Sequence, residues 1–404
     1  MLNKQKIAII VPDGMADLEV PMLGGKTPME AAKKPCMDFL AQNGICGMAQ
    51  FIPQGMISDA SATANLAILG YDPKIYSKGR SPLEAASMGL SMRPNDTAFR
   101  CNLVTLGEEE EYEQKTMLDH GADEISTEEA DVLIKEIDKQ LGSDQMRFFT
   151  GKSYRHILLW ENCPGEEVFT GPHDIKKKQI KDYLPSGPYL KLLKKSHEIL
   201  KDHPINIQRR ENGKKTANSI WLWSPGATPT MPDFKSKHGL GGSVVAAVDL
   251  ICGLGIYAGM NVTEPEGATG NFHTNYQNKG LCAIAEFEKG ADFVFVHIEA
   301  PDECGHRGEV ENKVKSIEKI DEMIIAPIHD YLNSHSKEFE MLVLPDHPTL
   351  VSTGAHSYDP VPFLIYKKGS GKKTGIQNFN EKSAKNSGIF MQNGHELLDF
   401  ALGQ

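Results

Sequence analysis

The chain has 404 residues, 40% hydrophobic and 24% charged, an ordinary balance for a globular protein with room for one large core or for two domains. A formal net charge of −11 speaks against a nucleic-acid surface and leaves no basic tract for a membrane. Seven cysteines, scattered without a CxxC pair, fit reduced thiols and a cytoplasmic setting; no signal-peptide pattern opens the chain and no segment approaches the ~18–20 apolar residues of a membrane span.

Lys6-Ile7-Ala8-Ile9-Ile10-Val11 has the pattern of a buried strand, and Asp13-Gly14 follows it directly. Residues 28–42 read as a helix, with Thr27 as N-cap and Pro28 at the first helical position, stopped by Gly44. A short strand is expected around residues 48–52, then a loop, then a helical run opened by Ser61 and closed by Gly70.

The middle of the chain differs in character. Residues 96–106, 154–160 and 219–223 are strand-like, residues 127–141 and 189–200 are charged helical stretches, and Ser224-Pro225-Gly226-Ala227-Thr228-Pro229 reads as a linker. After it come a helix over 244–254, a strand over 293–298, a helix over 311–332, strands over 341–344 and 362–366, and a final helix.

The chemistry gathers at strand ends. Phe293-Val294-Phe295-Val296-His297-Ile298 leads into Asp302 and His306; Met341-Leu342-Val343-Leu344 leads into Asp346-His347 and then His356. Any one Asp or His in such a place is more often a turn former or a cap. Three such clusters, counting Asp13, supply oxygen and nitrogen ligands enough for two divalent metals, in the place where open α/β sheets bind ligands. These residues come from both ends of the chain. The expected architecture is therefore one α/β catalytic domain, residues 1–75 and 230–404, interrupted by an inserted α+β domain at 76–229. Ser61, at a helix start, is either a plain N-cap or a hydroxyl placed where free N–H groups favour phosphate, able to attack phosphorus beside a metal; Ser58 competes for that role.

The segment Ser61-Ala-Thr-Ala-Asn-Leu-Ala-Ile-Leu-Gly-Tyr-Asp-Pro73 resembles the nucleophile segment of the cofactor-independent phosphoglycerate mutases, archaeal-type branch, within the alkaline-phosphatase superfamily. Val11-Pro-Asp-Gly14, Gly79-Arg-Ser-Pro-Leu-Glu-Ala85, Ser153-Tyr-Arg-His156, Gly171-Pro-His-Asp174, Glu299-Ala-Pro-Asp-Glu-Cys-Gly-His306 and Asp359-Pro-Val-Pro362 carry the resemblance over nearly the whole chain. It implies an alkaline-phosphatase-like three-layer core with a largely parallel sheet. It implies one metal site of Asp302, His306 and His356 and another of Asp13, Ser61, Asp346 and His347. Manganese is the implied ion, with magnesium, zinc or cobalt as substitutes, and Ser61 the residue transiently phosphorylated. For a small phosphorylated carboxylate substrate the nominated contacts are Arg80, Arg100, Arg155, His156 and His173, with Asp174 as the base that moves a proton between substrate hydroxyls. The inserted domain is expected to be a substrate-binding lid.

The sequence departs from the family pattern at Ala62, where Asp is usual, at Gly241, where the branch carries Lys, and at Ser224, where an Arg-Gly element is usual. These changes put the substrate rather than the reaction class in question. A homoserine kinase-like phosphotransferase and a phosphomonoesterase remain alternatives, and a non-catalytic binding protein is the reading from another class.

Overall fold

The protein is described here by a computed structural model covering residues 5–56, 59–165 and 167–403; Ser58 lies outside the described residues. The chain divides into two compact units, Met1–Ser77 with Thr230–Gln404, and Lys78–Pro229. Its strands, in chain order, are β1 Lys6–Pro12, β2 Ile45–Ala49, β3 Asp96–Leu106, β4 Met117–Asp119, β5 Met146–Phe149, β6 Arg155–Glu161, β7 Ser219–Ala227, β8 Gly242–Val245, β9 Asn261–Thr263, β10 Phe293–Ile298, β11 Phe339–Val343, β12 Thr349–Leu350, β13 Ala355–His356, β14 Val361–Lys367 and β15 Phe390–Met391.

In the first unit eight strands form one sheet, ordered β15-β2-β14-β11-β1-β10-β8-β9. Pairing is parallel from β11 through β9, and β14 alone runs against its neighbours β11 and β2. Every residue of β10 and β11 is buried, which requires cover on both faces of the sheet and explains their near-continuous apolar sequences. The fold is thus α/β with a largely parallel central sheet, as expected.

Local chemistry moved several element boundaries. The helix expected over 28–42 is two helices, Pro28–Ala31 and Pro35–Gln42. Thr27 and Glu30 close a capping box on the first, and Pro35, lacking an N–H, starts the second. The run at 244–254 divides into β8, whose Val244 and Val245 pair with β10, and a helix Asp249–Tyr257; a short buried apolar run does not announce its period. The long helix at 311–332 is broken by a π-turn at Asp321–Ile325, just ahead of Pro327. The expected linker begins inside β7, which continues to Ala227.

The inserted unit is an antiparallel sheet ordered β4-β3-β6-β5, with β7 on the other side of β3. Its main core joins Phe99, Cys101, Leu103 and Leu158 of the sheet to Leu133, Ile134 and Ile137 of helix Thr127–Leu141 and Leu193 of helix Gly187–Leu200. A smaller cluster seats Ala85 of helix Ser81–Ser87 against Ala98, Ile157 and Leu159. Sheet plus segregated helices makes this unit α+β.

Candidate active site

Registers fix where the site forms. Pro12 of β1 is level with Ile298 of β10, and Ile10 is level with Val343 of β11, so three neighbouring strands end together. Asp13 follows the first, helix Ala300–His306 the second, and Asp346-His347 the third. Gly14 has φ +63°, and a Cβ there would meet Thr349 Oγ1 at 2.5 Å and the Asp302 Cα at 2.7 Å; only glycine lets the chain leave Asp13 this way.

Asp302 and His306, four residues apart, share one face of their helix. His306 Nε2 lies 3.2 Å from Asp302 Oδ2, His356 Nε2 lies 3.2 Å from Oδ1, and the two imidazole nitrogens are 3.0 Å apart. His306 Nδ1 donates to Gly354 O at 2.8 Å, which fixes the ring with Nε2 facing the cluster. Beside this trio, His347 Nε2 lies 3.0 Å from Ser61 Oγ, 3.3 Å from Asp346 Oδ2 and 3.5 Å from Asp13 Oδ1. The rings of His347 and His356 are 4.0 Å apart, so the two groups are continuous. All seven residues that the resemblance implies as ligands therefore converge.

Electrostatics describes a place built for cations. Burial, then the charges of Asp346, Asp302 and Glu299, drive the Asp13 carboxyl well above its usual range. Burial opposes ionisation of Asp302, yet contacts from His306 and His356 outweigh it and hold this carboxyl well below the usual range. His306 in turn is raised to about 9, chiefly by Asp302. Asp13 Oδ1 has no hydrogen-bond partner although buried. Ligand atoms of Asp302, His347 and His356 lie within 4.8 Å of one another, as do those of Asp13, Asp346 and His347. A buried set of carboxylates and imidazoles with this spacing suits hard or borderline divalent ions.

Sequence reasoning missed the residues that hold these ligands. Asn65, one turn after Ser61, donates to Ser61 O at 2.8 Å and to Asp346 Oδ2 at 2.9 Å. Thr349 donates to Asp302 Oδ1 at 2.5 Å and lies 3.3 Å from His347 Nδ1. His297, read as a strand residue, approaches Asp13 Oδ2 at 3.1 Å. The spacing of four from Ser61 to Asn65 was the available signal; Thr349 offered none.

The nominated substrate contacts all belong to the inserted unit. Arg80 and Arg100 share Glu84, at 2.8 and 2.9 Å. The Arg100 guanidinium lies 4.2 Å above the Trp223 ring, and Arg155 lies 4.8 Å from the ring of Tyr154. Burial lowers Arg100 to about 10, against the pull of Glu84. His173 and Asp174 are exposed and pair at 3.4 Å, with the His173 ring 5.1 Å from Trp223. His156 does not join them. Arg155 is level with Asn102 and His156 with Cys101, and successive strand residues point to opposite faces. His156 is buried, accepts from Gly151 N at 3.1 Å, and burial lowers it to about 3, so it contributes no positive charge. It is a buried histidine on the face of the sheet opposite Arg155. His120 lies beside the exposed group: its ring is 5.5 Å from that of Tyr154 and 6.4 Å from that of His173.

A family model described as 2,3-bisphosphoglycerate-independent phosphoglycerate mutase matches residues 41–206, a span that holds both Ser61 and the arginines. A protein of that name from Methanosarcina barkeri is 44% identical over 398 residues, covering 97% of this chain and 98% of its own. The chain belongs to the 2,3-bisphosphoglycerate-independent phosphoglycerate mutase family. Among solved structures, a Pyrococcus horikoshii protein is similar at 30% identity and TM-score 0.81, covering 100% of this chain and 97% of that one. A cofactor-independent phosphoglycerate mutase from Thermoplasma acidophilum is similar at 26% identity and TM-score 0.69, covering 99% of each.

One departure from the mutase pattern lies away from the cation cluster in this fold. Gly241 takes the backbone N–H groups of Asp292 and Phe293, and Gly242 is level with Phe293, at the amino end of β10. The ligands lie past the carboxyl end, roughly 20 Å along a six-residue strand. A lysine missing at 241 therefore removes nothing from the cation cluster.

Proposed function

We propose that this chain is a metal-dependent phosphoglycerate mutase that interconverts 3-phosphoglycerate and 2-phosphoglycerate through a phosphoserine at Ser61. The reading rests on one observation above all: the Ser61 hydroxyl faces His347 Nε2 at 3.0 Å within a cluster of buried carboxylates. Asp302, His306 and His356 would hold one divalent ion, and Asp13, Asp346, His347 and Ser61 the other, with manganese the ion implied by the resemblance. Such ions lower the pKa of a bound hydroxyl and neutralise charge on a transferring phosphoryl group.

The chain's own groups do the rest. Ser61 Oγ forms a bond to phosphorus as the bond to the 3-oxygen breaks, and that oxygen leaves with a proton. The glycerate is retained, its 2-hydroxyl attacks the phosphoserine, and Ser61 regains its proton. Asn65 holds the start of the Ser61 helix against Asp346. Arg80, Arg100 and Arg155 would grip the substrate's anionic groups, His173 would donate to phosphate, and Asp174 would carry the proton between the two hydroxyls. In this reading the inserted unit binds substrate and acts as a lid, keeping water from the phosphoserine while the glycerate turns. The cytoplasmic setting belongs to the same proposal; among the described residues no helix is long and apolar enough to cross a membrane.

The test is direct. Manganese-loaded protein with 3-phosphoglycerate and no bisphosphoglycerate should yield 2-phosphoglycerate. A folded, loaded sample that leaves 3-phosphoglycerate untouched but phosphorylates homoserine from ATP would overturn the proposal.

A further inference from the structure

Helix Val310–Ile320 buries Val310, Lys313, Ile317 and Ile320 on one stripe, so an ammonium sits where an apolar residue would be expected. Lys313 is fully buried. An ammonium has three N–H donors, and here three acceptors surround it: Thr349 O at 2.6 Å, Asp17 Oδ2 at 2.7 Å and Ala16 O at 3.3 Å. Ala16 and Asp17 belong to the loop that leaves β1 through Asp13, and Thr349 to the segment that leaves β11 through Asp346 and His347. One side chain thus ties together the two loops that carry Asp13, Asp346 and His347 of the second ligand set. The tie is reinforced by Val351 N to Asp17 Oδ2 at 3.2 Å and Thr349 N to Ala16 O at 3.3 Å. Glu381 completes it, accepting from Asp17 N at 3.1 Å and from Thr27 Oγ1 at 2.7 Å.

The anchored residue is the informative one. The Thr349 hydroxyl donates to Asp302 of the first ligand set and, at 3.3 Å, meets Nδ1 of His347 of the second. The hydroxyl donates its one O–H to Asp302, so its oxygen is left to accept from His347 Nδ1–H, and the His347 lone pair stays on Nε2. A buried ion pair by itself is weak grounds for stability, since apolar residues of similar size often replace one without loss. A role in geometry explains the lysine better.

We propose that Lys313 is a positioning residue which, through the Thr349 hydroxyl, sets the spacing between the two cation subsites. The inference rests on the two-metal reading given above, and its test separates the two. Metal-free wild type, Thr349→Val, Lys313→Met and the charge-balanced pair Asp17→Asn/Lys313→Met would be titrated with manganese by calorimetry. Their melting would be followed, and loaded samples examined by electron paramagnetic resonance for the coupled-ion signal. Wild type should bind two ions. Thr349→Val and the charge-balanced pair should melt near the wild-type temperature, yet bind the weaker ion about 10- to 100-fold less tightly and show an altered coupling signal. In turnover they should lose kcat with little change in KM for 3-phosphoglycerate. Lys313→Met alone leaves Asp17 buried without its partner, and its folding is not needed for the test. Wild type binding no manganese ends the metal reading and this one with it. Wild type binding two ions, with Thr349→Val and the charge-balanced pair indistinguishable from it, ends this inference alone.

Discussion

The Ser61 hydroxyl lies 3.0 Å from Nε2 of His347, across a sequence separation of 286 residues. The contact joins the start of helix Ala60–Ile68 to the end of β11, and Asn65 fastens the same helix to Asp346. A hydroxyl held that way is positioned by the fold and not by its own rotamer preference.

Replacing Ser61 by alanine should therefore stop turnover while sparing the fold. Loss of one hydrogen bond costs about 1 kcal/mol, against a loss in kcat on the order of 10⁴-fold or more for a nucleophile. Circular dichroism and a melting curve should match wild type. Mass spectrometry of acid-quenched wild type should find phosphate on Ser61. Ser58→Ala should be far milder; if that variant is the inactive one, the nucleophile has been misassigned.

Removing divalent ions should lower stability as well as activity. Asp13, Asp302 and Asp346 are all buried and close enough for Asp302 and Asp346 to raise Asp13. Ions that bind only the folded state stabilise it by about 2.7 kcal/mol at a hundredfold excess over Kd. Chelated protein should melt at a lower temperature, manganese should restore both melting point and turnover, and Asp346→Asn, which removes a ligand from one of the two sites, should reduce the manganese-induced shift. A melting point indifferent to manganese in wild type would sink the metal assignment.

The catalytic end of the sheet was legible because it obeys a short-range rule: an apolar strand run, then a carboxylate or imidazole just beyond it. Asp13, Asp302 and Asp346 each announce themselves this way. What supports them did not, because it is set by tertiary contact. Lys313 looks like one more charge on a charged helix, and Thr349 like a loop residue; both acquire meaning only once β1 and β11 lie side by side. That His156 and Arg155 lie on opposite faces was hidden for a different reason. A motif match carries neighbouring residues together, whereas a strand sends them to opposite faces. The helix expected at 244–254 failed because its first residues are β-branched and pair with β10, a partner far along the chain.

That alternation gives a kinetic prediction. Arg155 lies on the Asn102 side of the inserted sheet, over Tyr154, and His156 on the other. Arg155→Ala should raise KM for 3-phosphoglycerate more than it lowers kcat, with kcat/KM falling on the order of 10²-fold for a lost charged contact. His156→Asn, whose Oδ1 can accept from Gly151 N in place of the ring nitrogen, should leave KM within about twofold. A large KM effect from His156→Asn would show that the buried face reaches substrate after all.

His156 should also contribute to how the inserted unit responds to acid. Its imidazole is buried, and burial lowers it to about 3 from an ordinary value near 6.5, against the opposing charge of Asp131. Below pH 6.5 the unfolded chain takes up a proton at this position while the folded one does not. Stability is therefore fully present above that pH and is lost as pH falls toward 3. At pH 5 the loss from this one group amounts to about 2 kcal/mol. The chain's three tryptophans, Trp160, Trp221 and Trp223, all fall within the inserted unit, so their fluorescence in urea titrations reports this unit directly. Wild type should lose stability between pH 7 and pH 5, and His156→Asn, weaker at pH 7 through imperfect packing, should lose about 2 kcal/mol less over the same interval. Equal losses in the two proteins would mean that the acid response comes from other groups, and that His156 titrates in the folded state much as it does in water.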